Sequence, residues 1–306
     1  MSESFTQDQN ANKVDILIVD DNSQSMESKQ RKMGEKFASF ISGIRDLDYQ
    51  IGITTTDLSG PAPHGSGFAT DGRLVTYDGS TVNIVTPLTP NADNLFLNTV
   101  KRAETIDCGK RTKFPYCPSS NEQPLKAIIM AIDERFKANS GFFRDGADLA
   151  VVVLSDEDEM STGTSSGVTK PYMVTDAFKA AFAERKRLMV HGVIIQPGNR
   201  ACLRSSRAAS GIGYYGTHVS ALATATGGRT YSICDSDYAK NLTSISKDVR
   251  KLVATFELQF EPEDPLKVEV ILNPAASINW HIEGKLLIFD SPPAPGTRID
   301  VRYLPK

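Results

Sequence analysis

The 306-residue chain lacks any apolar run near the roughly 20 residues that a membrane-spanning helix needs; its longest, such as 149–154 (LAVVVL), have the length of a strand. It has no Walker-type glycine loop, no GxGxxG and no GxSxG elbow, which removes the usual carriers of nucleotide binding and serine hydrolysis. Its four histidines, His64, His191, His218 and His281, form no HExxH or HxxxH pair. Charge of one sign is also missing. Lys and Arg number 34 against 37 Asp and Glu, a net charge of -3, so nothing draws the chain toward nucleic acid. Residues 1–12 are polar, without a basic-then-apolar signal segment, and read as a flexible lead-in. The chain is therefore either cytosolic or an exported protein whose signal has been removed.

Cysteine is scarce but patterned. Cys108 and Cys117 bracket a short loop, and Cys202 and Cys234 bracket a longer segment with helical character. Four cysteines allow three pairings, and none has CxxC spacing. Local pairing, Cys108–Cys117 and Cys202–Cys234, is the expectation; four reduced, buried thiols are the alternative. Disulfides would place the chain in an oxidising compartment and favour export.

What is present is an alternation of strand and helix. Residues 13–19 (KVDILIV) form a continuous apolar run, as in a central parallel strand buried on both faces. Met26, Met33, Phe37, Phe40 and Ile44 then recur with helical spacing. Further strands are expected at 49–55, 150–154, 188–195 and 229–233, and helices at 91–103, 122–136, 176–186, 218–225 and 238–253. Residues 74–85 suggest an antiparallel edge hairpin turning at Asp78-Gly79. This order predicts an α/β fold, a doubly wound and mostly parallel sheet flanked by helices, whose sites lie beyond the carboxyl ends of the strands. From about residue 255 the pattern becomes proline-rich and period-two, indicating a small antiparallel β module over 255–306.

The first strand ends in Asp21-Asn22-Ser23-Gln24-Ser25, a DxSxS pattern. Alternate side chains of a loop leaving a strand can converge on one point, and a carboxylate with two hydroxyls offers hard oxygen ligands suited to Mg²⁺, Mn²⁺ or Ca²⁺. The scarcity of nitrogen and sulfur donors argues against zinc. A later strand ends in Leu154-Ser155-Asp156, which brings Asp156 to the same sheet edge. A competing reading makes Asp21, Ser23 and Ser25 an ordinary helix cap, worth about 1 kcal/mol per capping residue, but it leaves Asp156 unexplained.

Together these residues resemble the metal-ion-dependent adhesion site (MIDAS) of von Willebrand factor A (VWA) domains. The resemblance covers about 13–253, within a domain read as 13–254. The stretches SNEQPLKA and FRDGADLAVVVLSDEDE further resemble a bacterial group of exported or lipid-anchored VWA proteins. It implies a divalent cation, Mg²⁺ first with Ca²⁺ or Mn²⁺ as alternatives, held by Asp21, Ser23, Ser25 and Asp156. A threonine from a middle loop completes the family's site; the equivalent loop here, 119–124 (SSNEQP), has none, and Glu122 is the substitute by its distance from the following helix. Glu122 also reads as a first-turn carboxylate favoured by the helix dipole. Three acids around one dication would strengthen ion binding, favour calcium and weaken the pull on a partner's carboxylate.

The resemblance implies binding, not catalysis: a protein or cell-surface ligand at the metal face, with a fibre or anchor subunit mounted through 255–306. An ion that only fixes the loops, with partners docking elsewhere, is the alternative. Within the elaboration at 58–120, Tyr77, Phe114 and Tyr116, together with Glu157, are candidates for a partner surface; 157–159 otherwise read as a solvated acidic loop. The opening ILIVDDN also resembles a receiver domain, with Asp20 and Asp21 holding Mg²⁺ and Asp57 as phosphoacceptor. However, the space between Asp21 and Asp57 holds only one helix and one strand, and the strand at 188–195 ends in Gln196-Pro197 where a receiver has a lysine.

Overall fold

The computed structural model describes residues 1–7, 12–60, 67–108, 117–161, 167–183 and 186–306. Five parallel strands, β2 (Lys13–Asp20), β3 (Asp48–Thr55), β4 (Asp148–Ser155), β5 (Leu188–Ile194) and β6 (Thr230–Ser232), form one sheet in the order β3-β2-β4-β5-β6. Seven of the eight residues of β2 are buried. Side chains alternate across a strand. Val14, Ile16 and Ile18 therefore enter one core with α1 (Glu27–Ile44), α2 (Ala92–Val100) and α8 (Tyr238–Val253). Leu17 and Val19 enter the other, with α4 (Pro124–Asp133), α5 (Pro171–Phe182) and α7 (Thr217–Ala225). The doubly wound architecture follows from this two-sided burial.

Register sets the site. Asp20 lies opposite both Thr55 and Leu154, so β2, β3 and β4 end at one level. Asp21 and Thr56 then leave the sheet beside Ser155, the last residue of β4. Asp21 N–H donates to Leu154 C=O (3.0 Å) and Thr56 N–H to Asp20 C=O (3.1 Å), fixing that level.

Several expectations change. The supposed lead-in contains β1 (Ser2–Thr6), which pairs antiparallel with β11 (Arg298–Arg302) along its whole length. Its sequence, SESFT, has a single apolar residue, as suits a strand with little to bury, and Phe5 packs on Phe256 with ring centroids 5.7 Å apart. The C-terminal module is thus two small antiparallel sheets. One is β1-β11-β8, with β8 at Glu269–Asn273. The other is β7-β10-β9, from Thr255–Glu257, Leu286–Phe289 and Trp280–Glu283. The segment 74–85 keeps its turn, through Tyr77 N–H to Val82 C=O (2.8 Å), but forms no strand; it meets β3 at the antiparallel bridge Ile51–Val85 and through Val75 N–H to Ile53 C=O (2.8 Å). Helix α5 starts five residues before the expected 176, because Pro171 fits the first helical turn, where its missing N–H costs nothing. Helix α4 stops at Asp133, leaving Phe136 exposed beside the Arg135 guanidinium. Helix α6 (Arg200–Ser210) carries no apolar stripe, and its buried residues are Cys202 and Ser206. Both expected disulfides, Cys108–Cys117 and Cys202–Cys234, are formed.

Candidate metal centre

The loop after β2 is shaped by Asp21 itself. Its Oδ1 accepts the Ser23 N–H (2.9 Å), a turn that aspartate makes readily, and its Oδ2 accepts the Ser155 hydroxyl (2.7 Å). The chain then turns through 24–26 into α1. This brings Ser23 Oγ within 3.1 Å of Ser25 Oγ, and Ser25 Oγ donates to Asp156 Oδ1 (2.6 Å), a contact spanning 131 residues. In the first turn of α1, Lys29 Nζ donates to Asp156 Oδ2 (2.5 Å) and to Ser25 C=O (3.1 Å). Asp21 and Asp156 are fully buried, and Ser25 is half-buried.

Glu122 reaches the same edge from the loop before α4. The Thr56 hydroxyl, from the end of β3, donates to Glu122 Oε2, while Glu122 Oε1 is buried without a partner among the described residues. Thr56 therefore brings a threonine hydroxyl to the edge, where the loop 119–124 has no threonine. Glu157 is also buried, with Oε1 unpartnered. Burial and the charge of Asp156 push the Asp21 carboxyl up to about 6. Burial and the charges of Asp21 and Asp156 push Glu157 to about 8, and Glu122 is raised well above the carboxylate range, chiefly by burial. Four buried acids lie together here, and among the described residues Lys29 is the cation that bonds one of them, Asp156.

The acidic run at 156–159 is not a solvated loop. Its carboxylates are spent inward. Asp158 accepts the His218 N–H at the start of α7 (2.9 Å) and lies 2.9 Å from His218 Nδ1; Glu159 Oε2 accepts the Leu125 N–H in the first turn of α4 (2.6 Å). Both acids sit where helix N-termini favour negative charge. Glu157 is therefore no exposed partner contact, and neither is Tyr77, which is fully buried with its hydroxyl on Ile51 C=O (3.0 Å). Phe114, Tyr116 and His64 lie outside the described residues. Asp57 is fully buried, accepting the Ser59 and Ser119 N–H groups (2.9 Å each), which joins the end of β3 to the Glu122 loop. That structural role leaves the phosphoacceptor reading without support.

Among the described residues, no three His, Cys, Asp or Glu side chains gather as a metal site. Any ion at this edge would depend on hydroxyl oxygens as well as carboxylates. Among the described residues the candidate ligands are all oxygens, two buried carboxylate oxygens lack partners, and acids outnumber the one lysine. That chemistry fits a hard cation, with Ser25 joining Ser23 to Asp156 and Asp21 held to the Ser23 N–H. Beside it opens a groove of about 770 Å³, whose lining includes Ser23, Ser25, Lys29, Lys32, Ser206 and the Cys108–Cys117 disulfide. Sequence reasoning missed Lys29, Thr56 and Ser155. The i, i+4 spacing of Ser25 and Lys29 was the available signal for the first; the other two depend on strand register.

No family model matches the chain, and no curated protein matches it. Solved structures do resemble it. The pilus adhesin SpaC from Lactobacillus rhamnosus GG aligns with a TM-score of 0.44 at 10% identity, over 97% of this chain and 39% of that one. Proximal thread matrix protein 1 from the mussel byssus, in the form with a zinc-occupied MIDAS motif, gives 0.43 at 11% identity, over 81% and 50%. A von Willebrand factor type A protein from Catenulispora acidiphila gives 0.42 at 10% identity, over 100% and 65%. The chain thus spans less than two thirds of each of these proteins. The class that the fold and site define is an α/β domain with an acid- and hydroxyl-bearing carboxyl edge.

Proposed function

We propose that the chain is a VWA-type binding module. A divalent cation, Mg²⁺ first with Ca²⁺ or Mn²⁺ as alternatives, would be held by Ser23, Ser25 and Asp156, with Asp21 and Glu122 supplying negative charge behind them. The observation that carries this reading is the contact of buried Asp156 with Ser25, which lines the groove. Bound there, the ion would supply a coordination position that a partner's oxygen fills. The chain's own residues position that ion: Ser155 and the Ser23 N–H orient Asp21, and Thr56 orients Glu122. Lys29 already neutralises Asp156, so an ion must displace it or share the carboxylate.

The role is binding, not turnover. Among the described residues no histidine bonds Ser23 or Ser25, and His218 is engaged with Asp158 and Lys170. The partner is a protein or a cell-surface ligand, and the antiparallel module serves as a mount to a fibre, anchor or other subunit. Two disulfides accord with an exported protein at a bacterial surface or in the periplasm, lipid-anchored or not. No helix among the described residues is long and apolar enough to cross a membrane. One observation favours the second reading, an ion that only fixes the loops: Asp21, Glu122 and Asp156 are all fully buried.

Chelation separates the two. Retention of fluorescently labelled full chain on intact cells is measured with Mg²⁺ and with EDTA, beside its melting temperature. Loss of retention at an unchanged melting temperature is the expected result. A lowered melting temperature with retention intact would favour the structural ion.

A further inference from the structure

The stripe Val14, Ile16, Ile18 on β2 faces α1 and α2, and strand alternation puts Asp20 at its end. An apolar side chain would complete that stripe; a fully buried carboxylate stands there instead. Asp20 Oδ2 accepts Gln30 Nε2 (3.1 Å), and the same amide donates to Asp21 C=O (2.9 Å). These two bonds fix the amide's orientation, since a flip would set its oxygen against two acceptors. Asn22 Nδ2 faces Glu104 Oε1 (3.5 Å), and Asn22 C=O accepts the Thr105 hydroxyl (2.7 Å). Glu104 and Thr105 belong to α3 (Ala103–Asp107), which leads into Cys108.

Three oxygens of this group, Asp20 Oδ1, Asn22 Oδ1 and Gln30 Oε1, are buried without a hydrogen-bond partner among the described residues, and all three side chains are 0% exposed. Each belongs to a side chain whose other polar atom is held by a member of the same group. Buried polar atoms rarely go unsatisfied, and three within the end of β2, the loop after it and the first turn of α1, all acceptors, call for a donor or a cation. Among the described residues Arg102 is the cation that acts on Asp20, but its Nε is committed to Glu104 Oε1 (2.6 Å), and one guanidinium faces two carboxylates.

We propose that Asp20, Asn22, Gln30 and Glu104 form a second cation site, beneath and separate from the Ser23–Ser25–Asp156 site. Carboxylate and amide oxygens without nitrogen or sulfur suit a hard cation, Ca²⁺ or Na⁺. The ion would join the end of β2, the first turn of α1 and α3. It would thereby pin the Cys108–Cys117 disulfide, which lines the groove, to the DxSxS loop.

Calcium binding by equilibrium dialysis decides the matter on the full chain, its Asp156→Ala variant and its Glu104→Gln variant, each checked for folding by circular dichroism. Wild type is expected to bind two Ca²⁺, and each variant one. In the doubly substituted chain, affinity should fall at least tenfold below that of Asp156→Ala. A chain that ignores Ca²⁺ but melts higher in NaCl than in choline chloride, with the difference gone in Glu104→Gln, would assign Na⁺. If Asp156→Ala removes all ion dependence, or Glu104→Gln changes none of it, the second site is wrong. Binding that survives Asp156→Ala and vanishes in Glu104→Gln would uphold this site and overturn the first. Should Glu104→Gln fail to fold, Gln30→Leu, from α1, replaces it with the same expected loss.

Discussion

At the amino end of the parallel sheet, Asp15 is fully buried yet well supplied. Arg144 Nε and the Arg144 N–H each donate at 2.8 Å, and Lys186 Nζ at 3.2 Å. Lys186 also donates to Ala147 C=O (2.6 Å), and Arg144 to Asp48 (2.6 Å). Burial pushes Asp15 up, and the two cations oppose it. At the carboxyl end, Asp21, Glu122, Asp156 and Glu157 gather, Lys29 bonds Asp156 alone, and two oxygens of the group have no partner among the described residues. One edge places two cations on a single acid; the other, of equal burial, leaves acids in excess. A charge that serves only the fold is neutralised within the chain. An edge left negative is poised for a cation from outside.

The largest expected effect lies at the paired edge. Arg144→Met should destabilise the chain by about 3 kcal/mol, as for a broken buried ion pair, and equally with Mg²⁺ or EDTA in a urea denaturation. An ion-dependent cost would mean the edges are coupled. Next comes the acid-rich edge. Mg²⁺ at a hundred times its Kd should stabilise wild type by about 2.7 kcal/mol and leave Asp156→Ala unchanged. The same denaturation series reads this, and equal stabilisation of both would erase the contrast. Lys29→Met should weaken the ion-free fold yet tighten Mg²⁺ binding about tenfold, or ~1.4 kcal/mol, in a calorimetric titration. Weaker binding would make Lys29 a supporting residue and not a competitor.

The smallest effect is on pH. Asp21 and Glu157 sit near 6 and 8 in the folded chain, above their ordinary 3.8 and 4.5. The folded form keeps protons that the unfolded chain has lost, so ion-free stability falls as pH rises from about 4 to 8. Glu157→Gln should flatten the upper part of that fall, and ion affinity should climb over the same interval as metal displaces protons. A urea midpoint in EDTA that rises with pH would contradict the sign.

Much of this was legible in the sequence, and the reasons for the rest are physical. The run at 13–19 and the DxSxS and LSD endings announce a buried parallel strand with acids at one edge, because both strand faces must be covered. Thr56 and Ser155 could not be read, since they reach Glu122 and Asp21 only through the level at which β2, β3 and β4 end. Tyr77 precedes a turn and reads as surface, but the turn at 78–79 tucks it under Ile51. Glu157 and Glu159 look solvated in a one-dimensional acidic run; helix N-termini and neighbouring acids that the run cannot show surround them. The strand at 2–6 was hidden by its polarity.

The most direct measurement is a crystal structure of the full chain grown with saturating Mg²⁺. The account predicts an ion coordinated by the Ser23 and Ser25 hydroxyls and bonded to Asp156 directly or through one water, with Lys29 withdrawn from that carboxylate. An ion-free edge with the Lys29–Asp156 pair intact under those conditions would contradict it.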